Sequence, residues 1–271
     1  MNKVLIFGAS GYLGNVLYRE LSPYFDVYGT YFSNVKFKKN QRFFNYNFET
    51  EGPEKILKKV KPNIIICSLR GNFEDQIDFH LYIADYTKEQ NCKIIFLSSA
   101  NVFDVFTNYP SYEFDKTLSE SIFGRLKIKI ENRIMKLPKK QWIIARIPMV
   151  FGPNSPRIKE LKLHINQKIP FEVFPKLIVN VTSDSMLSRQ IHYLINRKKT
   201  GIFHLGSKDL IHHDEFFSLL ANELTDKSPI FKQVYTTNHD RYLALLQRDN
   251  TLPKYLQISH SKVLEDIFLN T

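Results

Sequence analysis

Short apolar runs alternate with amphipathic stretches through the first half of the chain. The apolar runs are bounded by turn residues and predict strands at 4–7, 27–32, 63–68, 93–98 and 142–146. The stretches between them predict helices at 11–21, 53–60, 75–90 and 118–135. Because the predicted strands are almost continuously apolar, we expect a parallel sheet that is covered by helices on both faces.

The pattern is less regular after Gly152, where prolines indicate a series of short pieces. The interrupting residues are Pro153, Pro156, Pro170 and Pro175. We expect strands at 177–181 and 201–205, and helices at 185–195 and 213–224.

These elements predict an α/β fold, namely a Rossmann-type doubly wound parallel sheet with a smaller C-terminal lobe. Residues 1–151 would form the nucleotide-binding domain, with its sheet completed by segments within 177–206. Residues 152–271 would form the smaller, interleaved substrate-binding lobe.

Composition narrows the class of protein. Of the 271 residues, 43% are hydrophobic and 14% are aromatic, which is typical of a packed globular protein. No apolar run is long enough to cross a bilayer, so we expect no membrane association. Cys67 and Cys92 lie within or next to apolar stretches, which predicts buried free thiols and a cytoplasmic location. No spacing suggests a metal site.

The formal net charge is +11, but the basic residues are scattered along the chain. No nucleic-acid recognition motif accompanies them, and charge alone supports only non-specific attraction. We therefore do not expect a nucleic-acid partner. A solvated lysine-rich surface and a small anionic ligand, such as a nucleotide-sugar, both fit the charge.

A glycine triplet, Gly8-x-x-Gly11-x-x-Gly14, follows the first predicted strand and opens the first helix. Glycines in this context permit a tight turn and a close backbone approach to a pyrophosphate, whose charge the helix N-terminus attracts. The alternative is a tight turn that binds no ligand. The triplet therefore predicts a dinucleotide site in which backbone N–H groups bind the pyrophosphate.

The end of the second strand, at 27–34, has no acidic residue to hold a ribose diol. Lys36, Lys38 and Lys39 follow closely and would tolerate a 2′-phosphate. The pattern slightly favours NADP over NAD, although the lysines also suit an exposed loop.

Five further motifs follow in a fixed order. They are Ser-Ser-Ala-Asn-Val-Phe-Asp at 98–104, Pro110 with Glu113 and Asp115, Phe-Gly-Arg-Leu-Lys-Ile-Lys-Ile-Glu at 123–131, Arg-Ile-Pro-Met-Val-Phe-Gly at 146–152, and Thr-Gly-Ile-Phe-His-Leu at 200–205. In order and spacing they resemble the extended short-chain dehydrogenase/reductase superfamily, specifically the dTDP-4-dehydrorhamnose reductases. The resemblance reaches from the N-terminus to about Leu224.

The resemblance implies an NAD(P)H-dependent reductase of a nucleotide-linked 4-keto-6-deoxysugar, with Ser99 polarising the carbonyl and Lys127 assisting a tyrosine proton donor. Phe123 stands where that tyrosine belongs. It lacks the hydroxyl, so a catalytically silent regulatory subunit that binds NAD(P) or a nucleotide-sugar is the alternative. Either a homodimer or a complex with a catalytic partner subunit is compatible with this reading.

The residues expected to bind the cofactor are Gly8, Ser10, Gly11, Tyr12, Leu13, Gly14, Thr30, Tyr31, Ser68, Leu69, Ser98, Lys127 and Pro148. A second Tyr-x-x-x-Lys pattern, from Tyr112 to Lys116, offers Tyr112 as a substitute donor. Thr-Leu-Ser-Glu at 117–120 has the form of a capping box, which predicts that the long helix begins at Thr117 and leaves Tyr112 on a loop.

Overall fold

The computed structural model describes residues 2–269, in which a large central sheet has helices on both faces. The strands of this part are β1 (Lys3–Phe7), β2 (Asp26–Tyr31), β3 (Phe43–Asn45), β4 (Ile64–Cys67), β5 (Lys93–Ser99), β6 (Trp142–Ile147), β7 (Met149–Phe151), β8 (Phe171–Val173), β9 (Leu177–Val179), β10 (Val181–Ser183), β11 (Gly201–His204), β12 (Ile211–His212), β13 (Phe231–Gln233) and β14 (Arg241–Leu243). The α-helices are α1 (Tyr12–Leu21), α2 (Glu54–Val60), α3 (Phe73–Glu89), α4 (Ile122–Ile134), α5 (Pro156–Gln167), α6 (Asp184–Asn196), α7 (His213–Leu224) and α8 (His260–Leu269). Short 3₁₀ helices cover Val35–Phe37, Ala100–Phe103, Lys139–Gln141 and Lys254–Leu256.

The central sheet has seven strands in the order β3-β2-β1-β4-β5-β6-β11. Every neighbouring pair in it is parallel. The chain proceeds outward from β1 in one direction and from β4 in the other, so the strand order reverses between these two strands. In such sheets ligands bind in the crevice at the carboxyl ends of the strands, at this switch point. The predicted α/β class and Rossmann-type parallel sheet are confirmed.

Alternate side chains of the strands supply two separate cores. In β1, Val4 and Ile6 belong to the core shared with α1 and α6, while Leu5 and Phe7 belong to the core shared with α2, α3 and α4. All four side chains are fully buried. Burial of such a side chain stabilises the fold by about 1.5–3 kcal/mol, which explains why these strands are apolar on both faces.

The later part of the chain contributes to the central sheet and also forms smaller ones. Strand β11 pairs with β6 at the sheet edge, within the segment 177–206 where a completing strand is expected. The other short strands form the sheets β10-β7, β12-β9-β14 and β13-β8. The division at residues 151 and 152 into two domains stays a prediction.

The predicted start of the long helix is wrong, because α4 begins at Ile122 and Ser121 is its N-cap. Asp104 holds the preceding segment out of the helix. Its carboxylate accepts hydrogen bonds from the hydroxyls of Ser119 and Ser121, both at 2.7 Å, and from the Glu120 N–H at 2.8 Å. These long-range bonds outcompete the local capping box, and Tyr112 remains on a loop.

Two further expectations for the C-terminal half are wrong. The predicted strand at 177–181 is divided at Asn180, whose side chain bonds backbone groups of Ser207 and Leu245 and so separates β9 from β10. The prolines do not break the whole stretch into short pieces, because Pro156 starts helix α5 after the N-cap Ser155. Proline suits the first turn of a helix, where its missing N–H costs nothing.

Candidate functional site

A cavity of about 680 Å³ lies at the carboxyl ends of the central strands. The predicted site residues that line it are Gly8, Ser10, Gly11, Tyr12, Leu13, Thr30, Tyr31, Ser68, Leu69, Ser98, Ser99, Phe123, Lys127 and Pro148. Residues that come from widely separated parts of the sequence therefore meet in one space. Gly14 and Tyr112 are not part of its wall.

The glycine loop has its shape because side chains are excluded at two positions. Gly8 has a φ of +82°, and a Cβ atom on it would lie 2.6 Å from the carbonyl oxygen of Ser68. A Cβ atom on Gly14 would lie 2.1 Å from the carbonyl oxygen of Gly8. Gly14 thus lets α1 pack against the loop, which explains why it is absent from the cavity wall.

Several N–H groups of the loop are already used inside it. The Gly8 N–H donates to the Thr30 hydroxyl at 2.8 Å, the Ser10 N–H to the Thr30 carbonyl at 3.2 Å, and the Gly11 N–H to the Gly8 carbonyl at 3.0 Å. No side chain caps α1 at Gly11. The first-turn N–H groups of Tyr12 and Leu13 therefore remain for an anion.

Thr30 fixes the glycine loop in addition to lining the cavity. The sequence predicted only that Thr30 would contact the cofactor. Its hydroxyl and carbonyl together fix the entry of the glycine loop against β2. A threonine that ends a buried strand beside a glycine motif is the signal that could have indicated this role.

Two observations show that the cavity suits a dinucleotide. The first is the glycine loop, in which a Cβ atom on Gly8 or Gly14 would collide with backbone atoms. The second is Tyr46, which lines the cavity and has a buried hydroxyl with no hydrogen-bond partner in the part of the chain described. A buried donor without a partner is costly, and a polar ligand would satisfy it.

The cavity wall is strongly positive. Arg70, Lys127 and Arg157 line it, whereas Glu49 is the sole carboxylate residue among the lining residues within 2–269. The Glu49 carboxylate already accepts a hydrogen bond of 2.8 Å from the Asn72 N–H. This imbalance suits a ligand that carries phosphates.

The end of β2 has no acidic side chain in the cavity wall, where Tyr31, Phe32 and Ser33 lie. The lysines at 36, 38 and 39 follow on and beside a 3₁₀ helix, whose Phe37 stacks on Phe43 at 4.4 Å between ring centroids. None of the three lysines lines the cavity.

Lys127 lies one helical turn after Phe123 on α4 and is buried. Its ammonium donates to the Leu97 carbonyl at 3.0 Å and lies 5.4 Å from the centre of the Phe123 ring. Burial lowers the pKa of Lys127 to about 8; Cys67 and Glu131 oppose this shift, and Arg70 adds to it. The side chain is thus charged at neutral pH but loses its proton more readily than an exposed lysine.

Ser99, Asn101 and Phe123 line the end of the cavity where the sequence predicts the reaction. The Ser99 hydroxyl donates to the Asn101 side-chain oxygen at 2.9 Å and accepts the Asn101 N–H at 3.2 Å. Phe123 is 38% exposed and supplies a ring without a hydroxyl. The cavity wall therefore contains the predicted serine and lysine, while the ring at position 123 supplies no hydroxyl.

Two tyrosines that could replace the missing donor, Tyr12 and Tyr112, are engaged elsewhere. Tyr12 donates its hydroxyl to Asp184 at 2.8 Å, and burial raises the pKa of Tyr12, with Asp184 adding to the effect. Tyr112 lies on a loop where the Arg248 guanidinium stacks 4.6 Å from its ring centre. The structure does not bring Tyr112 into the cavity with Lys127.

A buried ion pair beneath the cavity escaped sequence reasoning. Glu131 on α4 binds Arg146 on β6 at 2.7 Å, and both side chains are almost completely buried. Ser98 donates its hydroxyl to Glu131 at 2.5 Å, and Arg146 also donates to the Glu113 carbonyl at 2.9 Å. The sequence did contain a signal for this ion pair, because Glu131 and Arg146 stand at positions where the hydrophobic pattern predicts apolar side chains.

The described residues, 2–269, contain no group of histidine, cysteine or acidic side chains that could hold a metal ion. His80 lines the cavity but donates its Nδ1–H to the Gln76 carbonyl at 2.5 Å, and burial lowers its pKa to about 3. Both cysteines are buried free thiols. In the same range, no helix has the length and hydropathy that a membrane span requires.

Three solved structures share this architecture over nearly their whole length. The dTDP-4-dehydrorhamnose reductase of Bacillus anthracis, in complex with NADP, has 21% identity and a TM-score of 0.79, with 100% of each chain covered. A hypothetical dTDP-4-dehydrorhamnose reductase of Sulfolobus tokodaii has 22% identity and a TM-score of 0.75, with 95% of this chain and 100% of that chain covered. WbmH of Bordetella bronchiseptica, in complex with NAD⁺, has 14% identity and a TM-score of 0.79, covering 100% and 98%. At these identities the likeness establishes the fold.

No curated protein sequence matches the chain. The family model described as RmlD substrate binding domain matches residues 75–270, well over half of the chain, and includes β5, α4, β6 and the elements that follow. The protein therefore belongs to the RmlD substrate-binding family, within the extended short-chain dehydrogenase/reductase superfamily.

Proposed function

We propose that the protein binds a nicotinamide dinucleotide and a nucleotide-linked sugar, and that it reduces a 4-keto-6-deoxysugar slowly because Phe123 supplies no proton. The observation that carries this proposal is the arrangement of Lys127 and Ser99 around a positive cavity, with the Phe123 ring beside Lys127. The Bacillus anthracis reductase with NADP and the Bordetella bronchiseptica protein with NAD⁺ support it by analogy.

When bound, the nicotinamide supplies the hydride for the sugar carbonyl. The open N–H groups of Tyr12 and Leu13 bind phosphate, and the Lys127 ammonium donates to the nicotinamide ribose. Ser99 polarises the carbonyl once its hydroxyl turns away from Asn101. The proton reaches the sugar oxygen from solvent beside the half-exposed Phe123, a slower route than a fixed tyrosine.

The lysines after β2 lead us to propose a slight preference for NADP over NAD. Two buried free thiols support a cytoplasmic location. We propose no nucleic-acid partner, and we expect either a homodimer or a complex with a catalytic subunit.

A second candidate function is that of a catalytically silent regulatory subunit. Two observations favour it: the missing hydroxyl at Phe123, and the hydrogen bond that engages Ser99 with Asn101. Such a protein keeps the ligand site and loses the reaction, which the short-chain reductase fold permits.

Calorimetric titration with NADPH, NADH and dTDP tests ligand binding directly. Turnover of dTDP-4-dehydrorhamnose by the wild type and by Lys127→Met then separates the two functions. Slow, Lys127-dependent product formation supports the reductase. Binding without product supports the regulatory subunit, and a wild type that binds none of these ligands contradicts both.

A further inference from the structure

Two arginines stand beside the glycine loop in the cavity wall. Arg70 follows β4, two residues after Ser68, whose carbonyl lies against Gly8. Arg157 lies in the first turn of α5, directly after Pro156. Two separate elements thus deliver guanidinium groups to the same part of the cavity.

Neither guanidinium has a partner of opposite charge in direct contact. Within residues 2–269, Arg70 and Arg157 form no hydrogen bond and no ion pair through their side chains. Glu160, one turn further along α5, interacts with Arg157 electrostatically but makes no direct contact with it. The carboxylate in the cavity wall, on Glu49, is bonded to the Asn72 N–H.

The surroundings of Arg157 are unfavourable for a cation in two ways. Burial lowers the pKa of its guanidinium, and the neighbouring charge of Arg70 lowers it further, although much of the residue remains exposed. The first turn of a helix is also the positive end of its dipole, where cations are disfavoured. An anion placed between the two arginines would relieve both effects.

The position of α1 indicates which anion would bind between the two arginines. Tyr12, in the first turn of α1, lies within electrostatic reach of Arg157, and the N–H groups of this turn are open. We propose that Arg70 and Arg157 bind the diphosphate of the nicotinamide dinucleotide together with the first turn of α1. This inference rests on the proposed function and adds two side chains to a site that the glycine motif assigns to backbone alone.

Calorimetry on Arg70→Gln, Arg157→Gln and the double variant tests the proposal, with Arg197→Gln, an exposed arginine at the end of α6, as the matched control. The titrants are NADPH, ADP-ribose, which keeps the diphosphate, adenosine, which has no phosphate, and dTDP, which carries a different diphosphate. Charged hydrogen bonds are expected to give a loss of about 10- to 100-fold in affinity for NADPH and ADP-ribose in each single variant. Affinity for adenosine in each variant, and affinity for every titrant in Arg197→Gln, should match the wild type.

Thermal unfolding without ligand separates binding from a structural role. Because removal of either charge relieves repulsion, the single variants should melt at or above the wild-type temperature, and the double variant should show a weaker salt dependence of NADPH binding. Unchanged NADPH affinity, an equal loss for adenosine, or a loss confined to dTDP would overturn the assignment while leaving dinucleotide binding intact. A wild type that binds no dinucleotide would overturn the proposed function and this inference with it.

Discussion

The two ends of the cavity are shaped in different ways. Backbone geometry determines the end that β1, β2 and α1 form, whereas side chains determine the end that β5 and α4 form. Gly8 and Gly14 leave no room for a Cβ atom, and Thr30 holds the loop through two hydrogen bonds. At the other end, Phe123 lies one helical turn before Lys127 on α4 and has no hydroxyl.

The contrast teaches that a fold can conserve ligand geometry more strictly than chemistry. A residue larger than glycine at Gly14 disturbs the packing of α1, so the loop is tied to the stability of the protein. Phe123, by contrast, is 38% exposed, so a hydroxyl on its ring would add one oxygen with little change in the packing of α4. The reaction can therefore be lost or altered at a small structural cost.

The largest expected effect concerns the reaction end. Phe123→Tyr should raise the turnover of dTDP-4-dehydrorhamnose by up to about 10²–10⁴-fold, because Lys127 and Ser99 are in place to activate a new hydroxyl. Paired steady-state kinetics with NADPH and NADH measure this. Tyr112→Phe serves as the control and should leave the rate unchanged. Robust wild-type turnover that falls in Tyr112→Phe would show that the loop tyrosine is the donor.

The Glu131–Arg146 ion pair below the cavity should matter to stability rather than to one ligand. Glu131→Gln leaves Arg146 buried without its counter-charge and should lower the free energy of unfolding by about 3–5 kcal/mol. Urea denaturation measures the loss. The double variant Glu131→Gln with Arg146→Met should recover much of it, and a single variant as stable as the wild type would contradict the assigned role.

Substitutions in the glycine loop should separate binding from folding. Gly11→Val should weaken NAD(P) binding by about 10²-fold or more while the protein stays folded, because a Cβ atom at this position would lie 3.2 Å from the Gly8 carbonyl oxygen, a contact that a small shift relieves. Gly14→Ala should instead lower the melting temperature, since its Cβ atom would overlap the loop. Calorimetry and circular dichroism measure the two effects. Undiminished binding in Gly11→Val would disprove the loop's assignment.

The smallest expected effect is a pH dependence of cofactor binding. The protonated Lys127 favours an anionic ligand, and its pKa is lowered to about 8 in the ligand-free protein. Affinity for NADH should therefore fall as the pH rises through 8, by up to about tenfold between pH 7 and pH 9. In Lys127→Met this slope should vanish. Burial raises the pKa of Cys67 to about 12 and lowers that of His80 to about 3, so neither neighbour titrates in this range.

The lowered pKa of Lys127 also affects the stability of the ligand-free protein, which should increase with pH where cofactor affinity decreases. Between pH 8 and the ordinary lysine value of 10.5, the unfolded chain binds more protons at Lys127 than the folded protein does. The free energy of unfolding of the ligand-free protein should therefore rise through this window relative to Lys127→Met. Denaturation curves at several pH values test this; a flat difference would show that Lys127 titrates normally.

The sequence by itself determined the parallel sheet, the glycine loop, the family and nearly half of the cavity wall. These features follow from local rules: continuous apolar runs form buried strands, and three glycines between a strand and a helix permit one turn geometry. Helix α7 was predicted with the bounds that the structure has, His213–Leu224. Residues Ser99, Phe123 and Lys127 line the cavity because they follow or flank strands whose carboxyl ends meet.

Only the tertiary structure decided features that depend on partners distant in the chain. Asp104 moves the start of α4 from Thr117 to Ile122, and Asn180 divides a predicted strand by bonds to Ser207 and Leu245. The placement of Arg70 beside Arg157 is of the same kind, since the loop after β4 and the first turn of α5 supply them from opposite halves of the chain. Local patterns carry no information about such contacts, because their energy comes from charges and hydrogen bonds that exist only once the chain has folded.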